Sequence, residues 1–117
     1  ASRKVGRPVK YTAVRSESFV SDYQGRDLLL DLELALDRDG TFLGLRSSNL
    51  SNVGARCVSL SPLSKGVGIA TVCYRIPAAR VGAWATFCNT PPTNAYRSSG
   101  RPEIIFAVEL LVDTAAR

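Results

Sequence analysis

The sequence predicts an α+β fold in which strands come first along the chain and one clear helix comes last. Two observations support this prediction. From Leu28 to Leu36, leucines alternate with mostly polar residues, which is the period of a strand with one buried face. After Pro102 the apolar residues recur at intervals of three and four, which is the period of an amphipathic helix. We therefore predict antiparallel or mixed strands and a C-terminal helix over residues 102–116.

Residues 28–49 are predicted to form a β-hairpin. The residues at 37–40 are Asp-Arg-Asp-Gly, and Gly40 is suited to the positive φ that such a turn requires. A second apolar run from Phe42 to Asn49 follows, so the chain is expected to return beside the first strand.

Weaker patterns flank the hairpin. Residues 9–15 and 81–87 are rich in β-branched or aromatic residues, and each predicts a strand. Residues 47–68 contain many Ser, Asn and Gly residues and predict irregular structure or a short helix. Residues 1–5 resemble the end of a helix closed by Gly6. We expect Trp84 and Phe87 in the core or at an interface with parts outside the chain.

The size and composition are those of a folded unit. The chain has 117 residues, of which 45% are hydrophobic and 21% are charged, within the range of globular domains. The final residues, 113–117, stay in helical register without a glycine cap. We therefore expect residues 1–117 to be a single domain or an internal fragment of a larger one.

The chain is basic, with 15 Lys and Arg against 10 Asp and Glu. Much of the excess lies near the N-terminus, in Arg3, Lys4, Arg7, Lys10 and Arg15. Such a cluster would suit phosphate, a solvated face, or contact with an acidic neighbour. Because no interleaved aromatic residues or recognition helix accompany the charge, we do not expect nucleic acid as a partner.

Histidine is absent and there are three cysteines, Cys57, Cys73 and Cys88, with no C-x-x-C pair. The composition excludes His-containing zinc sites and Ser-His or Cys-His catalysis within the chain. We expect three reduced, partly buried thiols and a reducing compartment, the cytoplasm. No apolar run approaches the roughly 20 residues of a membrane span, and no signal peptide is evident.

Residues 89–103 are the strongest candidate for a functional site. They lead from the end of a predicted strand, through a turn rich in Pro and Gly, into the first turn of the predicted helix. Backbone N–H groups at a helix N-terminus are free to bind oxyanions. The alternative is a well-capped turn in which Arg97 forms an ion pair with a neighbour.

Five separated stretches also resemble one enzyme family, in its order. They are GRPVK at 6–10 with RSE at 15–17, DRDG at 37–40 with LGLR at 43–46, NVGA at 52–55, YRIP at 74–77, and the loop at 89–103. The pattern is similar to the large subunits of molybdenum hydroxylases, which include the xanthine dehydrogenases, aldehyde oxidases and carbon monoxide dehydrogenases. The resemblance implies that the chain is part of a molybdenum-cofactor-binding domain.

The resemblance also implies particular site residues. Tyr96, Arg97, Ser98, Ser99 and Gly100 would border the molybdenum–pterin cofactor. At the position of Ser98, carbon monoxide dehydrogenases have a copper-binding cysteine, and xanthine dehydrogenases tend to have a glycine followed by an aromatic residue. We therefore expect neither a copper centre nor a purine substrate. Lys65 lies where purine-oxidising members have a substrate-orienting arginine, although a solvated loop lysine is the simpler interpretation.

The function implied by the resemblance is hydroxylation of an aldehyde or N-heteroaromatic carbon, with water as the oxygen source. The catalytic glutamate and the first glycine-rich cofactor segment of the family would lie outside this chain, so we assign no catalytic residue here. Iron–sulfur clusters and FAD would be on other domains or subunits, and the remainder of the molybdopterin-binding subunit would be the main partner. The alternative is a free-standing, non-catalytic binding or assembly protein derived from that domain, either alone or as a homo-oligomer.

Overall fold

The computed structural model describes all 117 residues. The chain contains four helices and three strands, and the long helix comes last. They are α1 (Ser2–Val5), α2 (Arg15–Ser21), β1 (Leu28–Leu36), β2 (Phe42–Asn52), α3 (Ser61–Val67), β3 (Ala79–Thr86) and α4 (Arg101–Ala116). The predicted α+β class is confirmed. No helix combines the length and the apolar content that crossing a membrane would require.

The predicted hairpin is confirmed, with β1 and β2 pairing in antiparallel register, Leu30 opposite Asn49 and Leu34 opposite Leu45. Its turn depends on Asp37, whose carboxylate accepts hydrogen bonds from the backbone N–H groups of Asp39 (3.0 Å) and Thr41 (2.7 Å). The second strand continues past Asn49 to Asn52, and this extension carries the strand to the loop described below.

The predicted strand at residues 81–87 is also confirmed, as β3. It pairs in parallel with β2, so the sheet is mixed and has the order β1-β2-β3. A parallel pair needs a crossover connection, and α3 lies within that connection, in the region predicted to be irregular or to carry a short helix.

The core lies between the sheet, α3 and α4. Its buried apolar residues are Leu45, Val53, Leu63, Ala70, Ile104 and Val108. On α4, Ile104 and Val108 are each 1% exposed and lie one turn apart, as the predicted helical period requires. Ile104 can approach α3 closely because residue 66 is glycine. A Cβ atom added at Gly66 would lie 2.9 Å from the Cγ1 atom of Ile104.

The strand predicted at residues 9–15 is wrong. Residues 8–14 have no regular secondary structure and pair with no other strand, and α2 begins at Arg15. The physical reason is Glu17, whose carboxylate accepts hydrogen bonds from the Val14 N–H (2.9 Å) and the Tyr11 hydroxyl (3.0 Å). These contacts cap the start of a helix, and a β-rich composition does not override them.

One expectation about burial is wrong and another is narrowed to one of its two alternatives. Cys57 and Cys73 are exposed and only Cys88 is partly buried, although all three thiols are free as predicted. Trp84 is 55% and Phe87 is 67% exposed, so neither belongs to the core, and their place at an interface with parts outside the chain stays a prediction. Both lie at or just after β3, which is an edge strand with no neighbour on its outer side.

Candidate functional site

The loop at residues 87–100 connects β3 to α4 and is fixed to the end of β2. The N–H of Cys88 donates to the carbonyl of Gly54 (3.1 Å), and the N–H of Ala55 donates to the carbonyl of Thr90 (3.0 Å). Gly54 has φ of 75°, and a Cβ atom there would lie 2.5 Å from the Cα of Pro92. Only glycine fits this contact, so the NVGA stretch is the base on which the loop rests.

Asn52, the last residue of β2, connects three segments through its side chain. Its amide nitrogen donates to the carboxylate of Asp27 (2.7 Å) and to the hydroxyl of Thr90 (3.0 Å), and its amide oxygen accepts from the N–H of Gly54 (2.8 Å). The hydroxyl of Thr93 in turn donates to the Asn52 carbonyl (2.7 Å), and Thr93 is only 2% exposed. The first half of the loop is therefore held by a network of mostly part-buried hydrogen bonds.

Residues 24–26 hold the loop from its other side. The N–H of Gln24 donates to the carbonyl of Pro92 (3.0 Å), and the carbonyl of Gln24 accepts from the N–H of Asn94 (2.8 Å). This pairing is a single parallel β-bridge between Gln24 and Thr93. Gly25 then lies against Tyr96, where an added Cβ atom would be 3.0 Å from the Cβ of the tyrosine.

Arg26 contacts the loop with its guanidinium group. This group donates to the carbonyl of Arg97 (2.7 Å) and to the carboxylate of Glu103 (3.2 Å). Its central carbon also lies 5.0 Å from the centre of the Tyr96 ring, which is within the range of a cation–π contact.

The loop enters α4 through three consecutive residues with positive φ, Ser98 (67°), Ser99 (27°) and Gly100 (80°). The N–H of Ser99 donates to the Tyr96 carbonyl (2.7 Å), and the Ser99 hydroxyl contacts that of Ser61 on α3 (3.1 Å). This left-handed turn changes the chain direction sharply and places the N-terminus of α4 next to the loop.

The structure brings together the five residues predicted to border a cofactor, because they are consecutive in this turn. Tyr96, Arg97 and Ser98 are exposed, whereas Ser99 is partly buried and Gly100 is buried. The last two hold the turn in place, and the first three present side chains to the outside. Their predicted contact with a cofactor stays a prediction.

Lys65 is not part of this cluster. It lies exposed in the last turn of α3 and forms no ion pair or hydrogen bond with the loop. Its neighbour Gly66 does contact the turn, since a Cβ atom at residue 66 would lie 3.0 Å from the Gly100 carbonyl oxygen. The role predicted for Lys65 in orienting a substrate stays a prediction.

The exposed part of the turn presents hydrogen-bond donors. The chain contains two ion pairs, Arg26 with Glu103 and Arg46 with Glu33, so the alternative in which Arg97 is ion-paired is wrong. The backbone N–H groups of Arg97 and Ser98 donate to no backbone or side-chain acceptor of the chain. With the N-terminus of a 16-residue helix beside them, they form a site suited to an oxygen-rich anionic group.

Metal ligands are not grouped in this chain, since no three His, Cys, Asp or Glu side chains lie together. The donor set at the turn is instead one guanidinium, free amides and hydroxyls. These groups fit the phosphate and pterin oxygens of an organic cofactor.

Sequence reasoning missed Gln24, Gly25 and Arg26. A polar stretch between two predicted strands has the pattern of an ordinary connecting loop. The only local signal was Gly25, a glycine just before a strand, which marks either a bend or a close approach of another segment.

Comparisons with known proteins show which proteins the chain is similar to. The chain resembles quinoline 2-oxidoreductase from Pseudomonas putida 86, with a TM-score of 0.91 and 31% identity over 99% of this chain and 15% of that one. It is 38% identical to the gamma subunit of the 6-hydroxypseudooxynicotine dehydrogenase complex of Paenarthrobacter nicotinovorans, over 98% of this chain and 15% of that protein. It is 34% identical to the carbon monoxide dehydrogenase large chain of Hydrogenophaga pseudoflava, over 100% of this chain and 15% of that one.

The fold is therefore that of the molybdenum-cofactor-binding domains of molybdenum hydroxylases. A family model described as the molybdopterin cofactor-binding domain matches residues 1–117, and the chain belongs to that family. The family predicted from the sequence motifs is confirmed, and with it the molybdenum–pterin cofactor as the group that these domains bind. The chain spans about 15% of the length of these relatives.

Proposed function

We propose that this chain is one segment of the molybdopterin-binding subunit of a molybdenum hydroxylase, and that it forms one wall of the cofactor cleft. The observation that carries the proposal is the turn at residues 96–100. It is fixed on both sides by hydrogen bonds, yet it leaves the Arg97 guanidinium and the N–H groups of Arg97 and Ser98 without partners. A rigid loop with unused donors is what binding an anionic cofactor requires.

In this proposal each group at the turn has a separate task. Arg97 binds an anionic oxygen of the cofactor, and the N–H groups of Arg97 and Ser98 donate to neighbouring oxygens. Tyr96, which is 65% exposed, covers one side of the cofactor with its ring. When bound, the molybdenum–pterin group supplies the redox chemistry that hydroxylates a carbon with oxygen from water.

The substrate class that we favour is an N-heteroaromatic compound or an aldehyde. Two of the similar proteins are named for quinoline and for 6-hydroxypseudooxynicotine. Ser98 supplies a hydroxyl where a copper site would need a soft thiolate, so copper is not part of the proposal. Lys65 would lie at the outer edge of the substrate pocket.

The complete enzyme would draw its other parts from elsewhere. The catalytic base and the rest of the cofactor cradle would come from the remainder of the subunit. Electrons would leave through iron–sulfur clusters and a flavin on other domains or subunits. The three free thiols agree with assembly in the cytoplasm, where such thiols stay reduced.

The test is Arg97→Ala in the full-length protein, with molybdenum measured by elemental analysis and pterin by fluorescence after oxidation. We expect the cofactor content to fall several-fold while the melting temperature of the cofactor-free protein stays unchanged, because the Arg97 side chain forms no ion pair or hydrogen bond within the chain. Arg38→Ala is the matched control, since Arg38 is an exposed arginine in the hairpin turn. Unchanged cofactor content together with an unchanged rate would contradict the proposal.

One observation favours the second candidate, a free-standing binding or assembly protein. Large apolar side chains are exposed on more than one face, including Trp84 (55%), Phe106 (69%) and Leu110 (54%). In a free-standing protein these would contact a partner or a second copy. The intact mass of the native polypeptide decides: a mass near 12.6 kDa supports this candidate, and a mass several times larger supports the enzyme.

A further inference from the structure

We propose that Arg26 is the positioning residue that holds Tyr96 and Arg97 in the orientation needed to meet the cofactor. Its contacts with the loop are properties of the fold. Its effect on the cofactor rests on the function proposed above. Arg26 lies outside every motif that links this chain to its family, and its role follows from its contacts alone.

Arg26 contacts three different groups of the turn at once. One terminal nitrogen donates to the Arg97 carbonyl at 2.7 Å, and the other donates to Glu103 at 3.2 Å. The plane of the guanidinium lies near the Tyr96 ring, with 5.0 Å from its central carbon to the ring centre. The hydrogen bond to the Arg97 carbonyl restrains the backbone of Arg97, and this restrains the position of the Arg97 Cα atom from which its side chain extends. The ring contact limits where Tyr96 can go.

Glu103 connects this contact to α4. It lies in the first turn of the helix, and its side chain is 13% exposed. One carboxylate oxygen bonds to Arg26, and the other is buried without any hydrogen-bond partner. Arg26 is thus the cation that balances this carboxylate, and it ties the loop and the helix N-terminus to one point.

The backbone of Arg26 shows that its position is imposed by its surroundings. Its φ of 60° lies in the left-handed region, which is unfavourable for a residue other than glycine. The chain is held on both sides of Arg26: Gln24, two residues before it, pairs with the loop, and Asp27, directly after it, accepts a hydrogen bond from Asn52. Such a conformation persists only where the surrounding contacts require it.

The contacts require arginine and not simply a positive charge. A guanidinium donates in two directions from a rigid plane and stacks on an aromatic ring, whereas a lysine ammonium is a point charge. Arg26→Lys is therefore the informative variant, because it keeps the charge opposite Glu103 and removes the fork. Arg26→Ala alone is less useful, since it would leave a mostly buried carboxylate unpaired and unfold the region.

The experiment compares the full-length protein with its Arg26→Lys variant by two measurements. Hydrogen exchange of the peptide covering residues 95–100 reports the order of the loop without reference to the cofactor. Molybdenum content and the electron paramagnetic resonance signal of Mo(V) report its effect on the cofactor. Arg46→Lys is the control, because Arg46 also pairs with a glutamate, Glu33, but on the exposed face of the hairpin.

In Arg26→Lys we expect the hydrogen-exchange rate of residues 95–100 to rise about tenfold, while the exchange rate of β1 stays unchanged. We also expect a several-fold loss of molybdenum and an altered Mo(V) signal. Arg46→Lys should change none of these. Unchanged exchange in the loop would overturn the proposal. Faster exchange with unchanged molybdenum content and an unchanged signal would overturn the effect on the cofactor. If Arg97→Ala also had no effect, the proposed function would fail, while the hold of Arg26 on the loop would stand.

Discussion

Gly100 lies against the carbonyl of Pro62 so closely that a Cβ atom on Gly100 would be 1.7 Å from the carbonyl oxygen. Pro62 is in the first turn of α3, and Gly100 is the N-cap residue of α4. The contact therefore joins the beginnings of the two helices. It also fixes the end of the candidate loop, because Gly100 is the last residue before α4.

Gly100→Ala should displace the start of α4 and disorder the loop. The variant combines an unfavourable positive φ, which costs about 1–2 kcal/mol, with a clash that only movement of α3 or α4 can relieve. We expect fast hydrogen exchange in the first turns of α4 and loss of bound molybdenum. Gly40→Ala is the matched control, since Gly40 has φ of 81° but no atom within 4 Å of an added Cβ. Equal effects of the two substitutions would show that the contact with Pro62 is unimportant.

The ionisation of Tyr74 should be delayed at alkaline pH. Its hydroxyl donates to the carboxylate of Glu109 at 2.7 Å, and this hydrogen bond, with desolvation second, raises the pKa of Tyr74 from 10.0 to about 12. The neutral phenol is favoured in the folded state. Its contribution to stability is therefore complete below pH 10 and is lost as the pH rises towards about 12.

The check on Tyr74 is a difference titration of tyrosinate absorbance between the wild-type protein and Tyr74→Phe. The difference should titrate near pH 12. In Glu109→Ala the same difference should move towards pH 10, because the acceptor of the hydrogen bond is gone. A difference that titrates near pH 10 in the wild-type protein would show that the hydrogen bond between Tyr74, in the segment before β3, and Glu109 on α4 is absent.

Two adjacent isoleucines on α4 should respond very differently to truncation. Ile104 is 1% and Ile105 is 38% exposed. Ile104→Ala removes apolar contacts and leaves a cavity next to Gly66, so it should lower the free energy of unfolding by about 2–5 kcal/mol. Ile105→Ala should cost much less. Protection of α4 amides from hydrogen exchange measures both, and similar losses would contradict the orientation of the helix.

The parts of the fold that the sequence predicts are those with a local period. The alternating leucines of β1 and the three-to-four spacing on α4 each reflect which face of one element is buried. The strand expected at residues 9–15 is not formed, because composition favoured a strand while one specific residue, Glu17, capped a helix instead. Local propensity is outweighed in such cases by a specific hydrogen bond.

In the candidate site, too, the sequence predicts the parts that have a local motif and misses those that depend on contacts between distant segments. The turn at residues 96–100 was found from its motif, and the NVGA stretch that supports it was found in the same way. Arg26 was not, because its partner Arg97 is 71 residues away in sequence. Its left-handed backbone also has no signature in a residue that is not glycine. The contact of Arg26 with the loop exists because the fold brings Gln24 beside Thr93, and no local pattern in the sequence predicts that pairing.

The surface of the chain is too large for an isolated globule. Its exposed area is 8482 Å², against about 6,200 Å² for a compact protein of the same mass. Its dimensions are 71 × 24 × 22 Å, and its radius of gyration is 19.2 Å, against about 13 Å for a compact domain of this length. An apolar groove of about 610 Å³ lies between β1 and α4, with Phe106 and Leu110 among its lining residues.

We therefore expect residues 1–117, expressed alone, to bind a hydrophobic dye and to associate as the concentration rises, because water would otherwise contact these apolar faces. Light scattering after gel filtration measures the association, and dye fluorescence measures the exposed surface. Replacing Phe106 and Leu110 together by Gln should reduce both signals. The same pair should destabilise the full-length protein if the rest of the subunit covers the groove. A monomer that binds no dye at any concentration would mean that the chain covers these faces itself, and it would contradict this expectation.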